Sequence, residues 1–93
     1  MNIYMDDIKK DGYIFKKSTN PKKKYDVFKH GKKLTSFGGI RDNKKPYEQY
    51  YDKIGLYSDY NHNDKIRRER YRLRHNKKMI INSANYFSHK YLW

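Results

Sequence analysis

The sequence predicts a small α+β domain in which an N-terminal β-hairpin is followed by short helices. Its 93 residues are enough for a single domain. Residues 24–37 contain two β-prone runs separated by a turn dipeptide, whereas later segments place apolar residues at helical spacing beside capping residues. Aromatic residues make up 17% of the chain, which favours a folded domain over a disordered basic tail.

The first 20 residues carry a net charge of +1, because they contain four lysines and three aspartates. The stretch GYIFKKS from Gly12 has the composition of a short strand. The polar stretch TNPKKK, residues 19–24, is typical of a connection, since asparagine and proline favour turns. Whether residues 1–20 are ordered or form a mobile segment is left open by the sequence.

Residues 24–37 form the predicted hairpin. The first strand runs to Lys29 and the second begins at Lys32. The dipeptide His30-Gly31 lies between them, and a two-residue turn of this kind needs positive φ angles that glycine adopts at little cost. The pair Gly38-Gly39 is expected to end the second strand.

Residues 46–54 are predicted to form a helix. Pro46 suits its first position and Gly55 suits the position just past its end. The segment places four residues at i, i+3, i+4 and i+7 on one helical face: Tyr47, Tyr50, Tyr51 and Ile54. This spacing favours burial in the core over the alternative, a platform for stacking bases.

A second helix is predicted over residues 63–75. Asn61 or Asn63 is the candidate cap, which places the negative charge of Asp64 in the first turn. Its apolar stripe is narrow, with Ile66 and Leu73 pointing the same way. The alternation in RYRLR leaves a strand as the less favoured alternative.

A third helix is predicted over residues 84–91, with Ser83 as its cap. Leu92 and Trp93 follow it, and such apolar residues are expected to pack back on the domain or into a partner. The predicted core is aromatic and consists of Tyr25, Val27, Phe28, Phe37, Tyr47, Tyr50, Ile54, Phe87 and Trp93.

The net charge of +13 predicts a polyanionic partner, and the arginines indicate where it binds. Five of the six arginines fall within residues 65–75, while 17 lysines supply the positive charge elsewhere. Over residues 65–78, eight basic residues against Glu69 give a charge of +7. Arginine presents a planar fork of donors that matches pairs of phosphate oxygens. Like charges four residues apart destabilise a helix, so the cluster indicates an anionic ligand.

The predicted nucleic-acid-binding residues combine this cluster with the lysines that precede the hairpin. They are Lys65, Arg67, Arg68, Arg70, Arg72, Arg74, Lys77, Lys78, Lys22, Lys23 and Lys24.

Other classes of function have weaker support. The chain has no cysteine, which excludes disulfides and thiolate chemistry, and its short apolar runs predict no membrane span. His62 and His75, with Asp59 and Asp64 nearby, raise the idea of a small HNH-like nuclease. A helix between the two histidines would hold them about 18 Å apart, too far for one metal ion. We therefore expect neither an enzyme nor a bound metal or cofactor.

Several short motifs carry a resemblance. The stretches SFGG, YSDYNHNDKIRRERYRLRH and ANYFSHKYLW are similar to an uncharacterised family of small basic proteins encoded by large nucleocytoplasmic DNA viruses. The matching positions are Phe37-Gly38, Asp59-Tyr60, His62, Asp64, Arg74-His75, Phe87-Ser88 and Leu92-Trp93. The segment between Gly39 and Asp59 departs from the family pattern. The resemblance implies a viral protein of the virion and the host cytoplasm or nucleus, not a secreted one, and implies no particular activity.

Three hypotheses follow. The first is sequence-independent binding of nucleic acid, DNA before RNA, through an arginine-rich helix, as in packaging or condensing a viral genome. The second is a minor capsid or cement protein whose arginines dock on an acidic shell protein. The third and least favoured is the nuclease. The sequence does not distinguish single from double strands.

Overall fold

A computed structural model describes residues 7–75 and 79–93 of the chain. The N-terminal half of this part forms the strands β1 (Ile8–Lys10), β2 (Tyr13–Lys17), β3 (Lys23–Lys29) and β4 (Lys32–Gly39). The C-terminal half contains a short 3-10 helix (Ser58–Tyr60) and two α-helices, α1 (Lys65–Arg74) and α2 (Ala84–Tyr91). The predicted α+β class, with a hairpin before short helices, is confirmed.

The strands form one antiparallel sheet in the order β1-β2-β3-β4. The predicted hairpin corresponds to β3 and β4, which pair from Lys23 opposite Gly39 to Lys29 opposite Lys32. His30 and Gly31 have φ angles of 52° and 76°, as expected for a two-residue turn with positive φ at both positions. The second strand continues past Phe37 and ends with the glycine pair, at Gly39.

The strand predicted from Gly12 is β2, and it pairs on one side with β1 and on the other with β3. Residues 8–10 and 13–17 are therefore strands of the sheet. This part of the N-terminal segment is ordered. Residues 1–6 lie outside the described part of the chain.

The core lies between one face of the sheet and α2. It is largely aromatic, and edge-to-face contacts such as Phe15–Tyr91, with ring centroids 4.8 Å apart, hold it together. The buried apolar residues are Tyr13, Phe15, Tyr25, Val27, Phe37, Ile54, Phe87, Tyr91 and Leu92. Of the predicted core, Phe28, Tyr50 and Trp93 are only partly buried and Tyr47 is 51% exposed.

The helix predicted over residues 46–54 is wrong, because this segment is irregular and extended. Its backbone N–H groups pair with distant carbonyls instead of with the preceding turn. Tyr51 donates to Leu92 at 3.1 Å, Lys53 donates to Tyr91 at 2.9 Å, and Gln49 donates to Tyr60 at 3.1 Å. The tyrosine spacing that predicted a helix therefore does not define a buried face.

A buried carboxylate explains this conformation. Asp52 is 2% exposed and accepts hydrogen bonds from the N–H groups of Ile54 and Tyr57, at 2.9 and 2.8 Å, and from the hydroxyl of Tyr25. An α-helix would direct the Ile54 N–H to a carbonyl four residues earlier. The side chain thus replaces the helical hydrogen bond, as short polar residues often do in loops.

Both remaining helices form close to their predicted positions. The helix predicted over residues 63–75 is α1, and its cap is Asp64, whose carboxylate accepts from the N–H groups of Ile66 and Arg67. The prediction of a capping asparagine is therefore wrong. In α2, Ser83 is the cap, as predicted, and accepts from the N–H of Tyr86. Residues 76–78 lie outside the described part.

None of the helices in the described residues is long and apolar enough to cross a membrane.

Candidate functional site

Helix α1 lies on the surface and contributes no fully buried residue. It is attached along one side by contacts of its longer side chains. The ring of Tyr71 stacks on Trp93, with centroids 4.1 Å apart and an interplanar angle of 2°. The guanidinium of Arg68 lies over the ring of Tyr50 at 4.5 Å, and Arg72 donates to the Trp93 carbonyl at 2.9 Å. The remaining faces of α1 are therefore open to a ligand.

These attachments divide the arginine cluster into two groups. At about 100° per residue, Arg68 and Arg72 lie on one flank of α1. They are engaged with the rest of the domain and hold the helix in place. Arg67, Arg70 and Arg74 are spaced i, i+3 and i+7 and project on the other flank.

Arg67, Arg70 and Arg74 line a small cavity of about 240 Å³ together with Trp93, which we call the arginine pocket. Within residues 7–75 and 79–93, the side chains of Arg70 and Arg74 make neither an ion pair nor a hydrogen bond. Two guanidinium groups are thus free to bind an anion. Planar guanidinium forks bind phosphate oxygens in pairs, and three of them in one pocket suit a phosphate group.

A larger cavity, the main cleft, adjoins the arginine pocket and has a volume of about 580 Å³. It lies between the end of β4, the loop that follows, α1 and α2. Arg67, Arg74 and Trp93 line both cavities, so the two are direct neighbours. The other residues lining the main cleft are Lys23, Lys24, Phe37, Gly38, Gly39, Arg41, Tyr47, Glu48, Tyr71, His75, Ala84, Asn85, Ser88 and Leu92.

Positive charge dominates the lining of the main cleft. Five lysine or arginine residues line it, and Glu48 is the one acidic residue among the lining residues. Glu48 accepts a hydrogen bond from Arg67 at 3.0 Å, and this ion pair connects the loop to α1. The hydrogen bond and charge of Arg67 hold the pKa of Glu48 below its usual value. The acid is therefore ionised and partly neutralises one of the three arginines.

A half-exposed aromatic ring forms one wall of the main cleft. Tyr47 is 51% exposed, and its ring packs against Gly39, where an added Cβ would lie only 2.9 Å from the tyrosine Cδ2. The guanidinium of Arg41 lies 4.8 Å from the ring centroid. The sheet thus supports a flat ring and a stacked cation at the mouth of a basic cleft. Such a pair offers a stacking surface for another planar group.

The lysines before the hairpin have different environments. Lys23 lines the main cleft, and Lys22 is exposed with Asp42 3.8 Å away. Lys24 is 1% exposed, and its ammonium donates to the Tyr47 carbonyl at 2.6 Å and to the Gln49 side chain. Burial lowers the pKa of Lys24 to about 8, against the opposing effect of Asp52. Its inclusion among the phosphate-binding residues is therefore wrong, because its ammonium is already bonded inside the protein.

The remaining predicted phosphate-binding residues are Lys65, Lys77 and Lys78. Lys65 is exposed at the first position of α1. Lys77 and Lys78 lie outside the described part of the chain, so the structure does not place them.

The histidines discussed with the nuclease hypothesis lie in aromatic contacts. The ring of His75 stacks on Tyr71 at 4.1 Å, and that of His62 lies 5.2 Å from Trp93. Burial raises the pKa of the Tyr71 hydroxyl, so this ring stays neutral. Across residues 7–75 and 79–93, the structure brings together no group of three or more histidine, aspartate or glutamate side chains that suits a metal ion.

Three residues that line the main cleft were not among the predicted nucleic-acid-binding residues. Arg41 is the single arginine outside the cluster, Tyr47 was favoured for the core over a platform for stacking bases, and Trp93 was expected to pack on the domain or into a partner. One signal was present in the sequence. Arg41, like the residues of the cluster, is an arginine in a chain whose basic residues are mostly lysines.

Compared with protein-family models, with curated proteins and with solved structures, the chain shows no match.

Proposed function

We propose that this protein binds nucleic acid without sequence specificity, through phosphate contacts made by Arg67, Arg70 and Arg74. The observation that carries the proposal is the arginine pocket, where three guanidinium groups from one helix face surround an open cavity. Two of them have no partner within the described residues. Charges placed in this way repel one another and are stabilised when an anion binds.

The surroundings of the pocket favour a polyanion over a single small anion. Lys23 and Arg41 line the adjoining main cleft, so the positive surface continues beyond the three arginines. The net charge of +13 adds a long-range attraction for the same kind of ligand. A chain of phosphates can contact both parts of this surface at once, whereas one phosphate occupies only the pocket.

A role in packaging or condensing a viral genome extends this proposal. It is supported by the resemblance to viral proteins and by the high positive charge, which suits binding that is independent of sequence.

The test is fluorescence anisotropy of labelled 20-nucleotide DNA, single-stranded and duplex, over a range of salt concentrations. The variant changes Arg67, Arg70 and Arg74 to glutamine. Each phosphate contact contributes a slope of about 0.9 for duplex or 0.7 for single strands in log Kd against log salt, so the slope should fall by about 2 to 3.

The matched control changes Lys9, Lys32 and Lys53 to glutamine. All three are exposed and line neither cavity, and the net charge falls by the same amount. The control should keep most of the wild-type slope. Binding by the wild type no tighter than about 10⁻⁴ M near physiological salt would overturn the proposal, because weak non-specific association reaches that value.

A second candidate function is docking on an acidic shell protein, as a minor capsid or cement protein. It is favoured by two apolar side chains on α1, Ile66 and Leu73, which are 63% and 73% exposed and flank Arg70 on the helix. The apolar Leu92-Trp93 pair does not support it, since Leu92 is 2% exposed and Trp93 stacks on Tyr71. Competition with poly-glutamate in the anisotropy assay tests this candidate, which predicts tighter binding to the polypeptide than to DNA.

A further inference from the structure

The basic groups at this site line a depression, and this shape bears on which nucleic acid fits. The main cleft and the arginine pocket are both concave and share Arg67 and Arg74. A duplex presents a convex outer surface of phosphates, with its bases stacked inside. A single strand can turn a base out of the chain and place it in a protein cleft.

The volume of the main cleft suits a planar organic group with its sugar. Its volume of about 580 Å³ lies within the range of about 300 to 1,000 Å³ typical of pockets for small organic ligands. Its lining combines aromatic rings with polar side chains from α2, namely Asn85 and Ser88. Groups of this kind bind a base through its face and through its edge.

The stacking surface in the cleft is already in place. Gly39 supports the ring of Tyr47 from beneath, and Arg41 stacks against the same ring at 4.8 Å. Tyr47 as a whole residue remains 51% exposed, so a planar group can stack on the Tyr47–Arg41 pair. Among the described residues, Tyr47 belongs neither to the buried core nor to the residues packed against it. A half-exposed aromatic beside a basic groove is the arrangement by which proteins stack successive bases of a single strand.

We propose that the protein binds single-stranded nucleic acid, with an unpaired base stacked on Tyr47 in the main cleft and the adjacent phosphate in the arginine pocket. This inference rests on the proposed function and specifies its ligand. Because Arg67, Arg74 and Trp93 line both cavities, a phosphate site lies next to a base site, as in a nucleotide. Stacking on a ring tolerates any base, so the inference agrees with binding that is independent of sequence.

The experiment measures the affinity of the full chain for labelled dT20 and for a 20-base-pair duplex at one salt concentration. The test variant is Tyr47→Leu, which keeps apolar bulk and removes the ring. The matched control is Tyr51→Leu, because Tyr51 is 50% exposed and does not line the cleft. Thermal melts of both variants verify that they fold.

The wild type should bind dT20 at least tenfold more tightly than the duplex. Tyr47→Leu should weaken dT20 binding by about 10- to 100-fold, the usual effect of losing one stacked base. The same variant should change duplex binding less than about twofold, because a duplex does not contact the ring. Tyr51→Leu should leave both affinities near the wild-type values.

Several results would overturn this inference. Equal affinity for dT20 and duplex, or equal effects of Tyr47→Leu and Tyr51→Leu, would disprove the base site while leaving phosphate binding by the arginines intact. Competition by thymidine monophosphate at the concentration at which unlabelled dT20 competes would identify a free nucleotide as the ligand instead. Failure to bind either nucleic acid would remove the proposed function and this inference together.

Discussion

The indole of Trp93 lies parallel to the ring of Tyr71, 4.1 Å away between centroids, and this contact joins the end of the described chain to the middle of α1. The Trp93 carbonyl also accepts a hydrogen bond from Arg72. Since α1 buries no residue fully, these two contacts and the Arg68–Tyr50 contact account for much of its attachment. Trp93 therefore contributes to the orientation of the arginine pocket, together with the Arg67–Glu48 ion pair.

The first prediction concerns this attachment. Trp93→Leu removes the stacked ring but keeps an apolar side chain, and it should destabilise the protein by about 0.5–1.5 kcal/mol more than Trp93→Phe. Hydrogen exchange of the α1 amides should accelerate in the leucine variant and less so in the phenylalanine variant. Unchanged protection of α1 in Trp93→Leu would show that other contacts hold the helix.

How far the sequence predicts this structure depends on the distance between interacting residues. The β3–β4 hairpin was predictable because His30-Gly31 and the alternating strands act locally. Residues 46–54 were not, because Asp52 and the pairing of Tyr51 with Leu92 replace the helix with contacts that span up to 41 positions. A periodic pattern contains no information about such partners.

The candidate site was also predictable only in part. The two flanks of α1 follow from helical spacing, so the grouping of Arg67 with Arg74 was predictable. The main cleft was not, because Lys23, Tyr47 and Trp93 come from distant parts of the chain and meet only after folding. The burial of Lys24 was equally hard to predict, since the two residues before it are also lysines.

The second prediction concerns the buried carboxylate of Asp52, which organises the loop supporting Tyr47. Asp52→Asn keeps the size of the side chain, but its amide nitrogen would face an N–H donor of Ile54 or Tyr57. It would also leave the buried ammonium of Lys24 without a nearby negative charge. We expect a loss of about 2–4 kcal/mol in the free energy of unfolding, measured with urea.

Asp59→Asn is the control for this variant. Asp59 is exposed in the 3-10 helix, and the same change in charge there should alter stability by less than about 0.5 kcal/mol. Similar losses in the two variants would indicate an effect of net charge and not of the buried network.

The third prediction concerns Glu48, which competes with a phosphate for Arg67. Glu48→Gln removes the ion pair and the negative charge at the cleft, so nucleic acid should bind about 3- to 10-fold more tightly. Glu69→Gln changes the charge equally, but Glu69 projects from the opposite side of α1 and lines neither cavity. It should improve affinity less than about twofold. Equal improvement in both variants would show that only overall charge matters.

The last prediction is a loss of stability below neutral pH that originates in His62. Its Nδ1 accepts a hydrogen bond from the N–H of Asp64 at 2.9 Å, which requires the neutral ring. Burial lowers the pKa of His62, and the charge of Arg67 lowers it further against the opposing effects of Asp64 and Glu48. Protonation would turn Nδ1 into a donor facing another donor, at the residue that caps α1.

The direction of the pH dependence of stability follows from the lowered pKa of His62. Because the pKa of His62 is lower in the folded protein than in the unfolded chain, the unfolded chain binds the proton more tightly. The contribution of the neutral ring is therefore fully present above the ordinary histidine pKa of about 6.5 and is lost as the pH falls through the lower folded value. Carboxylates titrate at still lower pH, and Lys24, with a pKa of about 8, is mostly protonated at both values, so a comparison of pH 7.5 with pH 5.5 reports mainly on the histidines.

Urea unfolding at these two pH values tests the prediction with a pair of variants. In His62→Asn, the amide oxygen can replace Nδ1 as acceptor, so the drop in stability from pH 7.5 to 5.5 should be smaller than in the wild type. His30→Asn is the control, since His30 is exposed in the hairpin turn and asparagine tolerates its φ of 52°. This control should retain the wild-type drop. If His62→Asn retains it as well, the pH dependence arises elsewhere, and the Asp64 cap does not depend on the protonation of His62.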